Sequence, residues 1–206
     1  MRHAISPALS TPKYRLDLGL LVVLMSLSGF GCDAPTSPRG AAPESLIQNG
    51  TFERYGRPTL AAWRFGNRDL ASPTHSAPPG HGEWSLRLDA DWAPTLGFAY
   101  VSVPDVHPGD NLRLSAFVRA LPPDGGGGIS LVMGRSLWAG RVYGKGTADT
   151  TWTLLSVEAV VSDDPADSVW VVLSSPHTEV TARSGLFDGV ELTRLAPPPL
   201  GATRAR

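Results

Sequence analysis

Apolar and polar residues alternate with a period of two along much of the chain beyond residue 80. The pattern is clearest in "NLRLSAFVRA" at 111–120, where leucine, alanine and valine alternate with arginine, serine and phenylalanine. "WSLRLDA" at 84–90 and "ISLVMG" at 129–134 follow the same rule. This period is typical of a half-buried strand whose side chains point alternately to core and solvent. No segment after residue 32 shows a helical period.

Three further segments complete the pattern: "WTLLSVEAVV" at 152–161, "DSVWVVLSS" at 167–175 and "GLFDGVELTRL" at 185–195. Turn-forming residues separate the segments, as in "HPGD" at 107–110 and "PPDGGGG" at 122–128. Six or more such strands in a short span predict an all-β protein, an antiparallel β-sandwich.

The irregular segments between these strands are predicted loops, and they include 77–83, 89–97 and 134–150. Loops that a rigid sandwich holds in place are where binding groups are often found. The segment at 134–150 is the longest of them.

The first 31 residues predict an export signal. Arg2, Lys13 and Arg15 precede a short apolar segment at 18–30, which is too short to span a bilayer. Cys32, the one cysteine of the chain, follows directly in "SGFGC", which resembles the lipobox of bacterial lipoproteins. We therefore expect a lipid on Cys32 that anchors an exported protein to a membrane of the cell envelope. An ordinary signal peptide beside a chance cysteine is the alternative.

Composition separates the remainder of the chain into a tether, a folded domain and a tail. Residues 32–44 are rich in proline and alanine and predict a tether, and 196–206 form a similar tail. The folded domain is expected at 45–195. Charged residues make up 18% of the chain and the net charge is −1, and no basic run occurs. This composition excludes a typical nucleic-acid-binding surface.

The sequence contains no recognisable catalytic motif. There is no G-x-S-x-G, and the one cysteine belongs to the export signal. Pairs of acids occur, such as Asp89 with Asp91 and Asp163 with Asp164, but the second pair precedes a proline in a turn, where aspartate caps backbone groups. Four histidines follow the signal without the spacing of a zinc site: His75, His81, His107 and His177. We therefore expect a protein that is not an enzyme.

The six tryptophans divide by strand phase and position. Three are expected in the core or at its edges: Trp63, Trp84 and Trp152. Trp170 is out of phase with its apolar neighbours and is predicted to face away from the core, whereas Trp92 and Trp138 lie in predicted loops. Exposed flat aromatic rings stack on the apolar faces of sugar rings. The alternative is that Trp92 and Trp138 fold back and cover the ends of the sheets.

The order of short motifs along the chain resembles one family. "LIQNGTFE", "AAWRF", "GEWSLRL", "TWTLLSVEAVV", "VWVVL" and "GLFDGVELTRL" occur in this order, and together they resemble the carbohydrate-binding modules of the cellulase-associated type, families 4, 9, 16 and 22, over residues 45–195. The resemblance implies a galactose-binding-like jelly roll that binds a polysaccharide without cleaving it. A structural or protein-interaction jelly roll with no sugar site is the alternative.

The same resemblance implies a structural calcium ion between the first and last strands. Glu53 of "NGTFE" and Asp188 of "LFDGVEL" would supply side-chain oxygens, with backbone carbonyls near Gly82 or Glu83. Gly189 stands where the family often has a second acid. The alternative is that both acids make hydrogen bonds at strand ends without a metal. If the two acids meet, the first segment of the domain closes against its last strand.

Ligands of these modules lie across a sheet face or at the loops that join strand ends. Strand phase and loop position give eight candidates for ligand contact: Trp92, Tyr100, Phe117, Arg119, Trp138, Arg141, Tyr143 and Trp170.

Overall fold

The computed structural model describes residues 44–90, 97–164, 166–175 and 184–196. The predicted signal peptide, Cys32, almost all of the tether, the tail from 197 onward, Asp91, Trp92 and His177 lie outside the described residues. Within the described ranges, no helix is long and apolar enough to cross a membrane.

Twelve strands and one short 3₁₀ turn (Arg68–Leu70) make up the described fold. The strands are β1 (Glu53–Arg54), β2 (Arg57–Pro58), β3 (Arg64–Phe65), β4 (Ala71–Thr74), β5 (Ser85–Asp89), β6 (Phe98–Val103), β7 (Asn111–Leu121), β8 (Gly127–Gly134), β9 (Arg141–Thr147), β10 (Thr153–Val160), β11 (Ser168–Ser174) and β12 (Ser184–Arg194).

Ten of these strands form two five-stranded antiparallel sheets. Sheet I has the order β10-β7-β12-β5-β4, and sheet II has the order β3-β6-β11-β8-β9. The strands β1 and β2 form a separate small hairpin. The predicted all-β antiparallel sandwich is confirmed.

The core lies between the two sheets, and the alternation in sequence accounts for it. In β7, Leu112 and Leu114 are fully buried, while Arg113 between them is exposed. In β11, Val171 is fully buried, while Trp170 is half-buried on the opposite side of the strand, as its phase predicted. Each fully buried leucine or valine contributes about 1.5–3 kcal/mol relative to an exposed one.

The N-terminal segment closes the domain against β12. The Leu46 amide donates a hydrogen bond to the Leu192 carbonyl at 2.7 Å, and the Val190 amide donates to the Gly50 carbonyl at 2.9 Å. Phe52 then enters the core. The expected closure of the first segment on the last strand is therefore present.

The segment at 134–150, predicted to be a loop, contains the strand β9. This strand pairs with β8 and forms one edge of sheet II, with Leu131 opposite Tyr143. Most of its side chains are exposed, and Gly144 and Gly146 lower its strand propensity. An edge strand of this kind carries no apolar alternation, so its sequence gives no strand signal.

Candidate functional site

The outer face of sheet II carries a group of aromatic and small side chains. Residues that pair across neighbouring strands point to the same side of a sheet. Tyr100 pairs with Val172, which pairs with Ser130, which pairs with Gly144, and the inner-face residues of these strands fill the core. We call this outer surface, with the loop that folds onto it, the aromatic face, comprising Phe98, Tyr100, Ser130, Val132, Trp138, Val142, Gly144, Trp170, Val172 and Ser174.

Trp138 lies over this surface on the loop between β8 and β9. Its side chain is 77% exposed, and its ring meets Phe98 edge-on, with ring centroids 5.2 Å apart. Phe98 in turn stacks with Tyr100 at 5.8 Å. Val132 points outward from β8 but is only 4% exposed. The loop therefore packs on the sheet while the indole of Trp138 stays open to solvent.

A concavity of about 270 Å³ lies beneath the indole of Trp138. It is lined by Phe98, Ser130, Val132, Leu137, Trp138, Gly140, Val142, Val172 and Ser174. None of these residues carries a charge. Aliphatic and aromatic side chains form most of the wall, and serine hydroxyls contribute polar atoms.

Three residues expected from the sequence to contact a ligand belong to the aromatic face. Tyr100 and Trp170 are half-buried on β6 and β11, and Trp138 reaches this face from the loop through its contact with Phe98. Phe98 was missed by the sequence reading, although it is in phase with Tyr100 in "FAYVSV". Alternation in that segment could have identified it.

The structure places the other candidates elsewhere. Tyr143 pairs with Leu131 and packs against the core, so it points away from the aromatic face. Arg119 and Phe117 lie on the outer face of sheet I, where the Arg119 guanidinium donates to the Thr150 carbonyl at 3.1 Å. Arg141 is exposed at the start of the edge strand β9.

A second cluster, at the junction of the N-terminal segment and β12, contains Glu53. The carboxylate of Glu53 accepts hydrogen bonds from the backbone amides of Glu83 at 2.9 Å and Trp84 at 3.2 Å. Gly82 has a φ of +89°, and a Cβ at this position would overlap the Glu53 carboxylate. The 82–84 segment is therefore shaped around this side chain.

Asp188 is the buried acid of the same cluster. Its side chain is fully buried; one oxygen accepts the Gly189 amide at 2.7 Å, and the other, Oδ2, has no hydrogen-bond partner among the described residues. Burial raises the pKa of Asp188 to about 7; the Gly189 amide opposes this shift, and the negative charge of Glu53 adds to it. The fold thus brings the two acids close enough to repel each other.

The donor set of this cluster suits a calcium ion. Within the described ranges, no group of three or more histidine, cysteine, aspartate or glutamate side chains is placed to hold a metal. A cation here would be held by the carboxylates of Glu53 and Asp188, and calcium accepts oxygen ligands in irregular sets. The unpartnered Oδ2 of Asp188 fits the group, because a buried carboxylate oxygen without a partner is costly.

An open cleft of about 610 Å³ lies beside this cluster, and Glu53, His81 and Gly189 are among the residues that line it. Asp188 is not part of the lining. The buried acid therefore has no access to a molecule in the cleft.

The remaining titratable candidates have structural roles. Asp164 accepts the Ala166 amide at 2.9 Å and pairs with Arg135 at 3.3 Å, and these contacts lower its pKa. It caps a turn, as the sequence suggested. His75 is exposed and lies 3.5 Å from Glu83, and His81 packs edge-on against Phe117.

Comparisons with known proteins identify the fold. No family model matches the chain, and no curated protein matches it. Among solved structures, the CBM22-1 xylan-binding domain of Paenibacillus barcinonensis Xyn10C has a TM-score of 0.54 at 15% identity, over 76% of this chain and 98% of that domain. The CBM22-2 xylan-binding domain of the same protein has a TM-score of 0.53 at 14% identity, over 66% and 94%.

The Stig cyclase Fisc of Fischerella sp. TAU, in complex with a substituted indole, has a TM-score of 0.55 at 13% identity, over 75% of this chain and 98% of the cyclase. The chain thus has the jelly-roll fold of carbohydrate-binding modules. A cyclase shares this fold, so the fold alone does not define the chemistry.

Proposed function

We propose that the aromatic face binds a polysaccharide and that the protein does not cleave it. The observation that carries the proposal is the exposed indole of Trp138, held edge-on to Phe98 above an uncharged concavity. A sugar ring presents an apolar C–H face that packs on an aromatic ring, and its hydroxyls need polar partners at the rim. Ser130, Ser174 and Tyr100 supply hydroxyl groups on this face.

The location of the carboxylates supports a binding role without cleavage. Glycoside cleavage by the usual route needs two carboxyl groups on either side of the scissile bond. Among the described residues, none that lines the concavity under Trp138 is acidic. Asp188, whose pKa is raised to about 7, is buried and does not line the open cleft beside Glu53.

The binding proposal is tested with a glycan array and with affinity gels that contain xylan, β-glucan and other soluble polysaccharides. The folded domain should be retarded by at least one neutral polysaccharide, and the sugar should be recovered with its chain length unchanged. Absence of binding to every polysaccharide would overturn the proposal.

A second candidate function is a protein-interaction domain of the envelope. Leu154 and Val160 are 58% and 57% exposed on β10 at the edge of sheet I, and exposed apolar side chains favour a partner there. Loss of a co-purifying partner in the variant Leu154→Ser/Val160→Ser, with glycan binding absent, would favour this candidate.

Calcium at Glu53 and Asp188 is the structural part of the proposal. The ion would neutralise two mutually repelling carboxylates and would tie the first segment of the domain to β12. Its role would be to stabilise the sandwich and not to contact the sugar.

Attachment to a membrane through a lipid on Cys32 completes the proposal, on the basis of the lipobox-like sequence. Cells that express the full chain should incorporate a labelled fatty acid into the protein. The Cys32→Ser variant should not be labelled, and labelling of that variant would contradict the assignment.

A further inference from the structure

Two glycines face each other across β8 and β9 on the outer face of sheet II. Gly128 pairs directly with Gly146, and neither has a positive φ. A Cβ on Gly128 would lie 3.2 Å from the Lys145 carbonyl oxygen and 3.7 Å from the Ser174 hydroxyl. A Cβ on Gly146 would lie 3.3 Å from the Gly127 carbonyl oxygen. At both positions a side chain therefore requires the facing carbonyl oxygen to move by only a few tenths of an ångström.

The neighbouring Gly127 shows what a packing requirement looks like. A Cβ there would lie 2.7 Å from both the Phe187 ring and the Val118 side chain, inside the core. Gly128 and Gly146 have no such neighbours. Glycine weakens a strand because it contributes no side chain to packing, and in a strand it often marks a site where another molecule approaches the backbone closely.

These two glycines form the floor of a second concavity, of about 350 Å³. Its lining is Gly126, Gly127, Gly128, Gly146, Thr147, Ala148 and Ser174. Ser174 also lines the concavity under Trp138, so the two share a wall residue. Together they follow β8 from Val132 to Gly126, a length of about 20 Å at about 3.3 Å per residue.

We propose that the Gly128–Gly146 floor is a second subsite for the same polysaccharide, so that the bound polysaccharide lies along β8 and β9 from Trp138 toward Gly126. The inference rests on the proposed function and adds the direction and the chemical class of the ligand. The described residues that line both concavities are uncharged, which favours a neutral glycan. Because glycine has no side chain, the sugar units that extend beyond Trp138 can lie against the backbone of Gly128 and Gly146.

The test fills the floor without disturbing the stacking site. Gly146→Val and Gly128→Val place a side chain on the floor, and valine is a good strand former. Isothermal titration measures the affinity of each variant for disaccharide to hexasaccharide fragments of a glycan that the wild type binds. The longest fragments should lose about tenfold in affinity, whereas the disaccharide should bind with unchanged affinity at Trp138.

Two controls separate floor filling from damage to the fold. Ser72→Val adds a similar side chain to the exposed edge strand β4 of sheet I and should leave every affinity unchanged. Ala148→Leu enlarges a side chain that lines only the second concavity and should weaken binding of long fragments even if a glycine variant unfolds. Melting temperatures of all variants identify those that remain folded.

The possible results distinguish this inference from the proposed function. If the wild type binds but folded glycine variants and Ala148→Leu keep full affinity for long fragments, the second subsite is overturned and sugar binding stands. The second subsite is also overturned, and sugar binding stands, if the affinity of the wild type does not increase with the length of the glycan fragment. If the wild type binds no glycan, the proposed function fails and this subsite fails with it.

Discussion

The ring of Trp138 meets the ring of Phe98 edge to face, with centroids 5.2 Å apart and planes at 89°. One residue comes from a loop and the other from β6. The contact holds the loop on the outer face of sheet II, and 77% of the Trp138 side chain stays exposed. An aromatic pair of this kind contributes about 0.5–1.5 kcal/mol beyond its burial. A held but exposed indole is what a stacking site for a sugar requires.

Removal of this indole should abolish stacking. Trp138→Ala is expected to weaken polysaccharide binding at least about tenfold, because truncation of a central aromatic anchor typically costs 2 kcal/mol or more. Affinity electrophoresis and titration calorimetry measure the loss. Tyr55→Ala removes another highly exposed aromatic, 89% exposed on the β1–β2 hairpin, and should bind as the wild type does. Equal loss in both variants would contradict a specific role for Trp138.

The raised pKa of Asp188 predicts how stability depends on pH in the metal-free protein. In the unfolded chain the pKa of this carboxyl has its ordinary value of 3.8, whereas in the folded protein the pKa is about 7. Between these values the folded state keeps a proton that the unfolded state has released, so stability falls as pH rises from about 4 to about 7 and then levels off. Each pKa unit corresponds to about 1.4 kcal/mol.

Thermal melts with a chelator at several pH values measure this effect. Other ionisable groups also titrate, so the readout is the difference between the wild type and Asp188→Asn, which keeps the shape of the side chain but cannot ionise. The wild type should lose melting temperature relative to this variant between pH 5 and pH 7. Parallel curves for the two proteins would show that Asp188 does not titrate as expected.

Calcium should reverse this loss of stability. The ion needs ionised carboxylates, so calcium is expected to raise the melting temperature at pH 7.5 and to have a smaller effect at pH 5. At 100 times its dissociation constant, a ligand of the folded state adds about 2.7 kcal/mol. Asp188→Asn should not respond. If the metal-stripped wild type shows neither heat on titration with calcium nor a gain in melting temperature, the site is absent.

The close approach of Gly50 to β12 predicts a stability effect independent of any ligand. A Cβ at this position would overlap the Val190 carbonyl, and the Val190 amide bonds to the Gly50 carbonyl. Gly50→Ala is therefore expected to destabilise the domain by about 1–3 kcal/mol through overpacking. Urea unfolding measures this change in the free energy of unfolding. Gly146→Ala, whose Cβ has a nearest contact of 3.3 Å, should change the free energy of unfolding much less.

Local alternation was enough to predict six of the twelve described strands, namely β5, β7, β8, β10, β11 and β12, and the buried side of β7, β8 and β11. Trp170 was expected to face outward because Val169 and Val171 beside it are apolar, and these two valines are fully buried. Side chains of a strand alternate between two sides whatever the strand pairs with. The edge strand β9 escaped prediction because both of its sides are largely exposed, so burial imposed no pattern on its sequence.

Strand phase did not show which outward-facing residues share a surface. Arg119 and Trp170 both face away from the core, but they lie on opposite outer faces of the sandwich, because β7 belongs to sheet I and β11 to sheet II. Strand phase describes only the side of its own strand on which a residue lies. Only the pairing of strands distant in sequence determines which sheet, and so which surface, a residue belongs to.

The sequence by itself thus determined an all-β sandwich, six of its strands and an outward Trp170, since these depend on the local geometry of the chain. Its resemblance to a family paired Glu53 with Asp188. Only the tertiary structure brought Trp138 onto Phe98 and left one oxygen of Asp188 buried with no partner in the described part of the chain. Contacts of this kind depend on how loops and sheets pack in three dimensions, and burial of a particular atom is a property of the whole fold.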